Sequence, residues 1–315
     1  MNKPPLLHKF PVFLKIITFG MVVLTSVILV FIFGTLLAFL IFGSDTMKNL
    51  ALIATSTDPD IIALAKYFQI VGQFAIFLVP TVFFAFLDGR NIGKYLKINA
   101  RPELRTIVFS VLAIIAVIPI INFIADLNQQ MVLPAFLKDV ETWMRESEDA
   151  ATKMETIFLN TSTISGLLIN ILMMALIPAI GEEFLFRGVL QKLFHQWSKN
   201  IHVAVILSAF IFSAIHMQFY GFVPRFFLGI FLGYSFVWSG TLWVPIAIHF
   251  INNFIAVLFS YLSAQGVVGN FEDTIGTGDS ALPAVIISTV LSTGFIYLIY
   301  HFAKKNKPVN AELIK

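Results

Sequence analysis

Glu182 and Glu183 stand side by side in the middle of a long apolar stretch, with Arg187 following, and His216 and His249 lie in later apolar segments. An ionised side chain at a bilayer centre costs between ~2.5 and ~17 kcal/mol, so such groups pair with one another or carry function. Glu183 and Arg187 are four residues apart and share a helical face, so they can pair. Glu182 is turned by about 100° from its neighbour and stays outside that pair. A carboxylate left free in a low-dielectric site suits general acid–base work near neutrality. His249 and Asn253 are likewise four apart; a His and an Asn on one face can donate hydrogen bonds to a developing oxyanion. The same residue types also serve as helix-end salt bridges and interhelical hydrogen bonds, so no single pair decides.

The elements that must hold these residues read as membrane helices. The chain of 315 residues is 58% hydrophobic and 12% charged, with a mean hydropathy of +0.87. A soluble domain carries roughly 25% charged residues, so an all-α polytopic bundle is expected. Eight candidate spans follow: Ile16–Phe42, Tyr67–Leu87, Thr106–Ala125, Ile164–Phe186 with an amphipathic extension, Ile201–Met217, Val223–Trp238, Leu242–Leu262 and Ala281–Phe302. The sixth is the shortest. Asp139–Glu155 reads as a charged helix outside the membrane. One integrated membrane domain is expected, with N-terminal spans and a loop over 1–160, a core over 161–265, and a last span and basic tail over 266–315.

Charge sets the expected orientation. Arg90, Lys94, Lys97, Arg101 and Arg105 separate spans two and three; Arg187, Lys192 and Lys199 separate four and five; Lys304, Lys305, Lys307 and Lys315 form the tail. With Lys3, Lys9 and Lys15 they fall on one side, while Asp139, Glu141, Glu146, Glu148, Asp149, Glu272, Asp273 and Asp279 fall on the other. Both termini are therefore expected in the cytoplasm of a bacterial plasma membrane. The N-terminal run is too long for a cleavable signal and reads as a retained span. The net charge of +3 is small and says little by its sum; membrane lipids are the expected surroundings, with no nucleic-acid partner expected. With no cysteine, disulfides, thiolate metal sites and a cysteine nucleophile are excluded.

Depth allows the polar residues to meet. If the fourth helix runs to a turn at Gln196–Asn200, Glu182 lies ~21 Å before that turn and His216 ~24 Å after it. His249 lies ~12 Å into its span. One buried cluster of Glu182, His216, His249 and Asn253 is thus expected. Pro178 and Gly181 can kink the fourth helix and free carbonyls beside it. Gly229 and Gly233 form a small-xxx-small pair that suits close helix packing.

Three motifs in order, Glu182-Glu183…Arg187, Phe212…His216 and His249…Asn253, resemble the CPBP family. It includes CAAX prenyl endopeptidases and the Abi, or bacteriocin self-immunity, proteins. The resemblance covers about Ile164–Leu262 and implies an intramembrane endopeptidase acting on membrane-associated peptides or lipidated proteins. By it, Glu182 activates water with His216 helping, His249 and Asn253 stabilise the oxyanion, and Glu183, Arg187 and Phe212 support the site. A zinc ion held by Glu182, His216 and His249 is one version; a metal-free glutamate mechanism is the other. No HExxH string occurs.

Gly276-Thr277-Gly278-Asp279 fits the GxGD string of aspartyl intramembrane proteases, but reads as a turn because no second intramembrane aspartate accompanies it. Tyr220, Arg225 and Trp238 read as interfacial anchors. Asn252 is ~60° out of line with His249 and ranks below Asn253. Competing functions are a non-catalytic membrane immunity protein that binds a peptide toxin, and a proton-coupled transporter. The chain shows none of the repeat symmetry of many transporters.

Overall fold

The computed structural model describes residues 4–53, 56, 58–269, 275–278 and 281–305, the last three by backbone alone. Lys3, Glu272, Asp273, Asp279, Lys307 and Lys315, and the side chains of Lys304 and Lys305, lie outside the described residues. So the charge reading of the tail and last loop rests on sequence alone.

The described residues form helices and no strand. The long ones are α1 (Val12–Phe42), α2 (Pro59–Gly89), α3 (Leu104–Gln129), α4 (Lys138–Leu159), α5 (Ile164–Ser198), α6 (Ile201–Ala214), α7 (Phe222–Ser239), α8 (Trp243–Ala264) and α9 (Ala281–Lys305). Among the described residues seven helices are long and apolar enough to cross a membrane, and α6 is not. Seven of the eight expected spans are thus matched by long helices, and the fifth candidate is the shorter apolar helix α6. The helix expected to reach Met217 stops at Ala214, because Met217 takes a left-handed φ of 54° that no continuing helix permits. Fourteen residues span ~21 Å, short of a ~30 Å hydrocarbon core. The sixth candidate, expected to be the weakest, is the full helix α7. The charged segment forms α4 as expected.

Local chemistry sets the joints. Asn200 caps α6, its side chain accepting from the N–H groups of His202 at 2.9 Å and Val203 at 3.3 Å. Lys199 before it turns the chain at φ 57°, so α5 and α6 form the expected hairpin. In α2 and α5, π-helical turns at Phe74–Leu78 and Ile171–Leu176 each precede a proline, Pro80 and Pro178. Proline has no N–H for the carbonyl four residues back, and its ring crowds that carbonyl. A widened turn relieves the crowding. A third π turn, Phe184–Leu190, begins directly after Glu183 and carries Arg187.

The packing core joins α2, α5, α6, α7 and α8 through Phe77, Phe84, Phe186, Phe212, Phe236 and Ile246. At α6 against α7, Gly229 and Gly233 do what their spacing suggested. A Cβ on Gly229 would stand 2.9 Å from Ala209 Cβ, and one on Gly233 2.9 Å from Val205 Cγ1. The two helices touch backbone to side chain, which larger residues would prevent. The turn read at Gly276 and Gly278 has positive φ at both glycines, 93° and 68°.

Candidate active site

Four ionisable side chains meet where α5 crosses α8. Glu182, Glu183, Arg187 and His249 are 5%, 0%, 0% and 3% exposed. Arg187 Nη1 donates to Glu183 Oε1 at 2.8 Å, forming the pair that the spacing suggested. The same oxygen stands 2.9 Å from His249 Nδ1. A carboxylate oxygen only accepts, so Nδ1 carries the hydrogen and Nε2 of neutral His249 is left with its lone pair. That Nε2 lies 3.9 Å from Glu182 Oε2, near but beyond hydrogen-bond contact. Glu183 Oε1 thus has two donors, while Glu183 Oε2 and Glu182 Oε2 are both buried with no donor among the described residues.

Arg187 is fixed on its far side as well. Nη2 donates to Gly229 O at 2.9 Å, and one turn on Gln191 Nε2 donates to Gly233 O at 3.2 Å. The close approach that the two glycines permit brings their carbonyls to α5. Sequence reading missed Gln191. Its signal was the matched spacing of Arg187 and Gln191 on one helix with Gly229 and Gly233 on another.

Phe212 lies at the centre of this arrangement. The Arg187 guanidinium sits 4.9 Å from its ring centroid. The rings of Phe186, His216 and His249 meet it edge-to-face at 5.2, 5.2 and 5.8 Å. His216 is therefore tied to the cluster through Phe212. Its Nδ1 stands 2.7 Å from Phe212 O. A carbonyl only accepts, so this nitrogen also carries the hydrogen and Nε2 is again the free one.

Asn253 lies one turn after His249 on α8. Its Nδ2 donates to Met174 O at 3.2 Å, the carbonyl that Pro178 cannot serve. Asn252 Nδ2 in turn donates to Asn253 Oδ1 at 3.1 Å. The carbonyl-freeing role of Pro178 is visible here, and one hydrogen of the Asn253 amide is committed to it. The three residues read as interfacial anchors each have protein contacts. Tyr220 is buried, with the Arg145 guanidinium 4.5 Å from its ring centroid. Trp238 packs on Tyr234 and Tyr300, and Arg225 folds back onto Gln218.

Among the described residues no group of three His, Asp or Glu side chains converges closely enough to hold a metal ion. His249 turns Nδ1 to Glu183 and leaves Nε2 on the side of Glu182.

These features define an integral membrane protein whose polar core lies in α5–α8. Residues 164–255, which carry all three motifs, match the family of type II CAAX prenyl endopeptidases, Rce1-like, and the resemblance to the CPBP family is borne out there. The chain is similar to the membrane-embedded CAAX protease MroQ of Staphylococcus aureus (strain USA300). The two are 33% identical over 105 residues, 31% of this chain and 42% of that protein. It is similar to the uncharacterized protein YpbD of Bacillus subtilis (strain 168), 33% identical over 86 residues, 26% of this chain and 41% of the relative. The sporulation-killing factor biosynthesis protein SkfC of Bacillus subtilis (strain 168) is 30% identical over 128 residues, 38% of this chain and 24% of that protein. The matched stretch is less than half of each relative. No solved structure matches the chain.

Proposed function

We propose that the protein is an intramembrane endopeptidase that hydrolyses peptide bonds of membrane-associated or lipidated substrates with a glutamate-activated water. The observation that carries this reading is the contrast between two adjacent buried carboxylates. Glu183 accepts from Arg187 and His249, while Glu182 Oε2 faces His249 Nε2 with no donor of its own. Two neighbouring carboxylates in different surroundings take different roles, one structural and one chemical.

A water between Glu182 and His216 Nε2 would present a hydrogen to each. Glu182 takes one proton, and the hydroxide adds to the scissile carbonyl. Asn253, with its second amide hydrogen, and His249 in its protonated form, through Nε2–H, supply donors to the oxyanion. When the carbonyl re-forms and the C–N bond breaks, Glu182 returns the proton to the leaving amine. Glu183 and Arg187 hold His249 in place, and Phe212 holds both histidines. Each step uses residues of this chain, with no metal ion required. The charge asymmetry favours both termini in the cytoplasm, which needs an even number of crossings and so takes the short helix α6 as a crossing beside the seven long spans; reporter fusions at each loop check it.

Cleavage of a single-span peptide library by detergent-purified wild type and by Glu182→Ala tests this. The expected result is cleavage by the wild type alone, retained after exhaustive chelation. Equal cleavage by both proteins refutes the assignment of Glu182. Loss on chelation with recovery on zinc addition refutes the metal-free form. A toxin-binding immunity role would survive Glu182→Ala.

A further inference from the structure

Gln73 of α2 is a buried amide without a hydrogen-bond partner among the described residues. It is 8% exposed, its Oε1 is enclosed with no donor, and its Nε2 bonds no described residue either. It stands beside the proposed base. A Cβ built on Gly181, the residue before Glu182, would lie 3.8 Å from Gln73 Oε1 and 3.0 Å from Phe77 Cβ. Glycine at this position lets α2 press against α5. A π turn, Phe74–Leu78, begins directly after Gln73, as another begins directly after Glu183.

Gln69 is four residues earlier and shares this face of α2. It is exposed, although it lies ~15 Å from the start of a helix apolar enough to cross the membrane. The two amides thus stand in line from the outer surface of the bundle to the neighbour of Glu182. Lys66, about one turn before Gln69, donates to Asn170 Oδ1 of α5 at 2.8 Å, so α2 and α5 are tied together further along the same seam.

Polar side chains between membrane helices ordinarily serve as interhelical hydrogen bonds. Gln191 does so, through its bond to Gly233 O. Gln73 makes no such bond, so that role does not account for its amide. The proposed hydrolysis supplies the missing partner. A peptide bond inside a bilayer is open to attack where the substrate has left its helix, and there each freed N–H and C=O has no water to bind. A glutamine amide carries one acceptor oxygen and two N–H donors, the complement of a peptide unit.

We infer that Gln73 and Gln69 bind the main chain of an unwound, membrane-spanning peptide substrate, with Gln73 holding the stretch next to the scissile bond. This rests on the peptidase reading above. Gln73 Oε1 accepts from a substrate N–H and Nε2 donates to a substrate C=O. Gln69 does the same one turn away, nearer the lipid. Contacts made to the main chain select a segment that can unwind rather than particular side chains.

The test uses full-length protein in phosphatidylethanolamine–phosphatidylglycerol vesicles and the best-cleaved peptide of a quenched-fluorescent single-span library. Copies of that peptide carry a backbone ester in place of one amide at each position near the cut, which removes a single N–H. Gln73→Leu is expected to raise KM about tenfold, the worth of one or two neutral hydrogen bonds, with kcat within about twofold of the wild type. The melting temperature should be unchanged or raised, because an enclosed acceptor without a donor is replaced by apolar groups of similar size. At one or two positions the ester should raise the wild-type KM by a similar factor and cost Gln73→Leu nothing further. Gln69→Leu should act in the same direction by about threefold. A melting temperature lowered by Gln73→Leu would make the residue interhelical glue. Ester penalties equal in wild type and Gln73→Leu at every position would mean that no substrate N–H reaches it. Either result overturns the proposal. Affinity of Glu182→Ala for the intact peptide, read by anisotropy of a labelled copy, should fall with Gln73→Leu by the same factor as KM rises. Full activity in Glu182→Gln would refute the glutamate reading while this binding arm still decides the inference, and no peptide binding by any of these proteins refutes both.

Discussion

Helices α1 and α5 are similar in length and both apolar enough to span, yet they meet opposite fates. In the most apolar window of α1 only 11% of residues are buried inside the protein, against 33% in α5. α1 turns Met21, Leu24, Ile28 and Leu29 outward and serves as a lipid-facing wall. α5 has Glu182, Glu183, Arg187 and Gln191 buried at the crossing with α6, α7 and α8. Lipid tails are as apolar as leucine, so no hydrophobic drive gathers membrane helices. Close packing at glycine and hydrogen bonds between helices do so instead. A span that only has to sit in lipid needs length and apolarity; a span that works needs partners for each polar group.

Within α5 the sharpest expected contrast lies between the two glutamates. Glu182→Gln is expected to lower cleavage by about 10²–10⁴-fold, the usual contribution of a general base. It should leave thermal stability unchanged or raised, because no donor loses its partner. Glu183→Gln should lower stability, because Arg187 and His249 are then left facing a neutral amide. If the two variants behave alike in an unfolding scan, the division of roles between them is wrong.

The next largest effect falls on Arg187. Arg187→Met leaves the Glu183 carboxylate buried without its cation, which typically costs about 3–5 kcal/mol. The paired variant Glu183→Gln with Arg187→Met removes both charges and should recover most of that stability without recovering activity. A double-mutant cycle by reversible unfolding in mixed micelles measures this coupling. A coupling near zero would mean that the pair is wet and α5 no different from a solvated helix.

These contrasts were legible to different degrees. The Glu183–Arg187 pair followed from four-residue spacing alone, and the hairpin of α5 and α6 from the turn expected at Gln196–Asn200. The end of α6 did not follow, because apolar character continues through Ile215 to Met217 while the backbone turns at Met217. Asn253 lay on the expected face, but its partner depended on which carbonyl Pro178 would strand, and that requires a neighbouring helix at known register. Arg225 read as an anchor because a cation near a span end is normally one. Only the folded loop shows its bonds to Gln218.

Gly229 tests whether packing, rather than charge, brings the helices together. Gly229→Ala places a methyl 2.9 Å from Ala209 Cβ and 3.2 Å from Phe212 Cδ1. Overpacking of this kind costs about 1–3 kcal/mol. It should also lengthen the Arg187 bond to Gly229 O and disturb Phe212, so cleavage falls along with the melting temperature. A change confined to stability would separate the packing of α6 on α7 from the placement of the two histidines.

The smallest effect is expected on α1, and it closes the comparison. Leu24 is 61% exposed on a helix face turned away from the core. Leu24→Ala removes side-chain volume where lipid fills the space, so no cavity forms and none of the penalty of a buried leucine truncation applies. Stability should change by within about 0.5 kcal/mol, and cleavage should be unaffected. Ala38 lies on the same helix but is fully buried, so Ala38→Leu should be the more damaging change although it adds apolar surface. A larger effect at Leu24 than at Ala38 would show that the outer face of α1 contacts protein, as it would in an assembly of two copies, and α1 would then cease to be the passive half of the comparison.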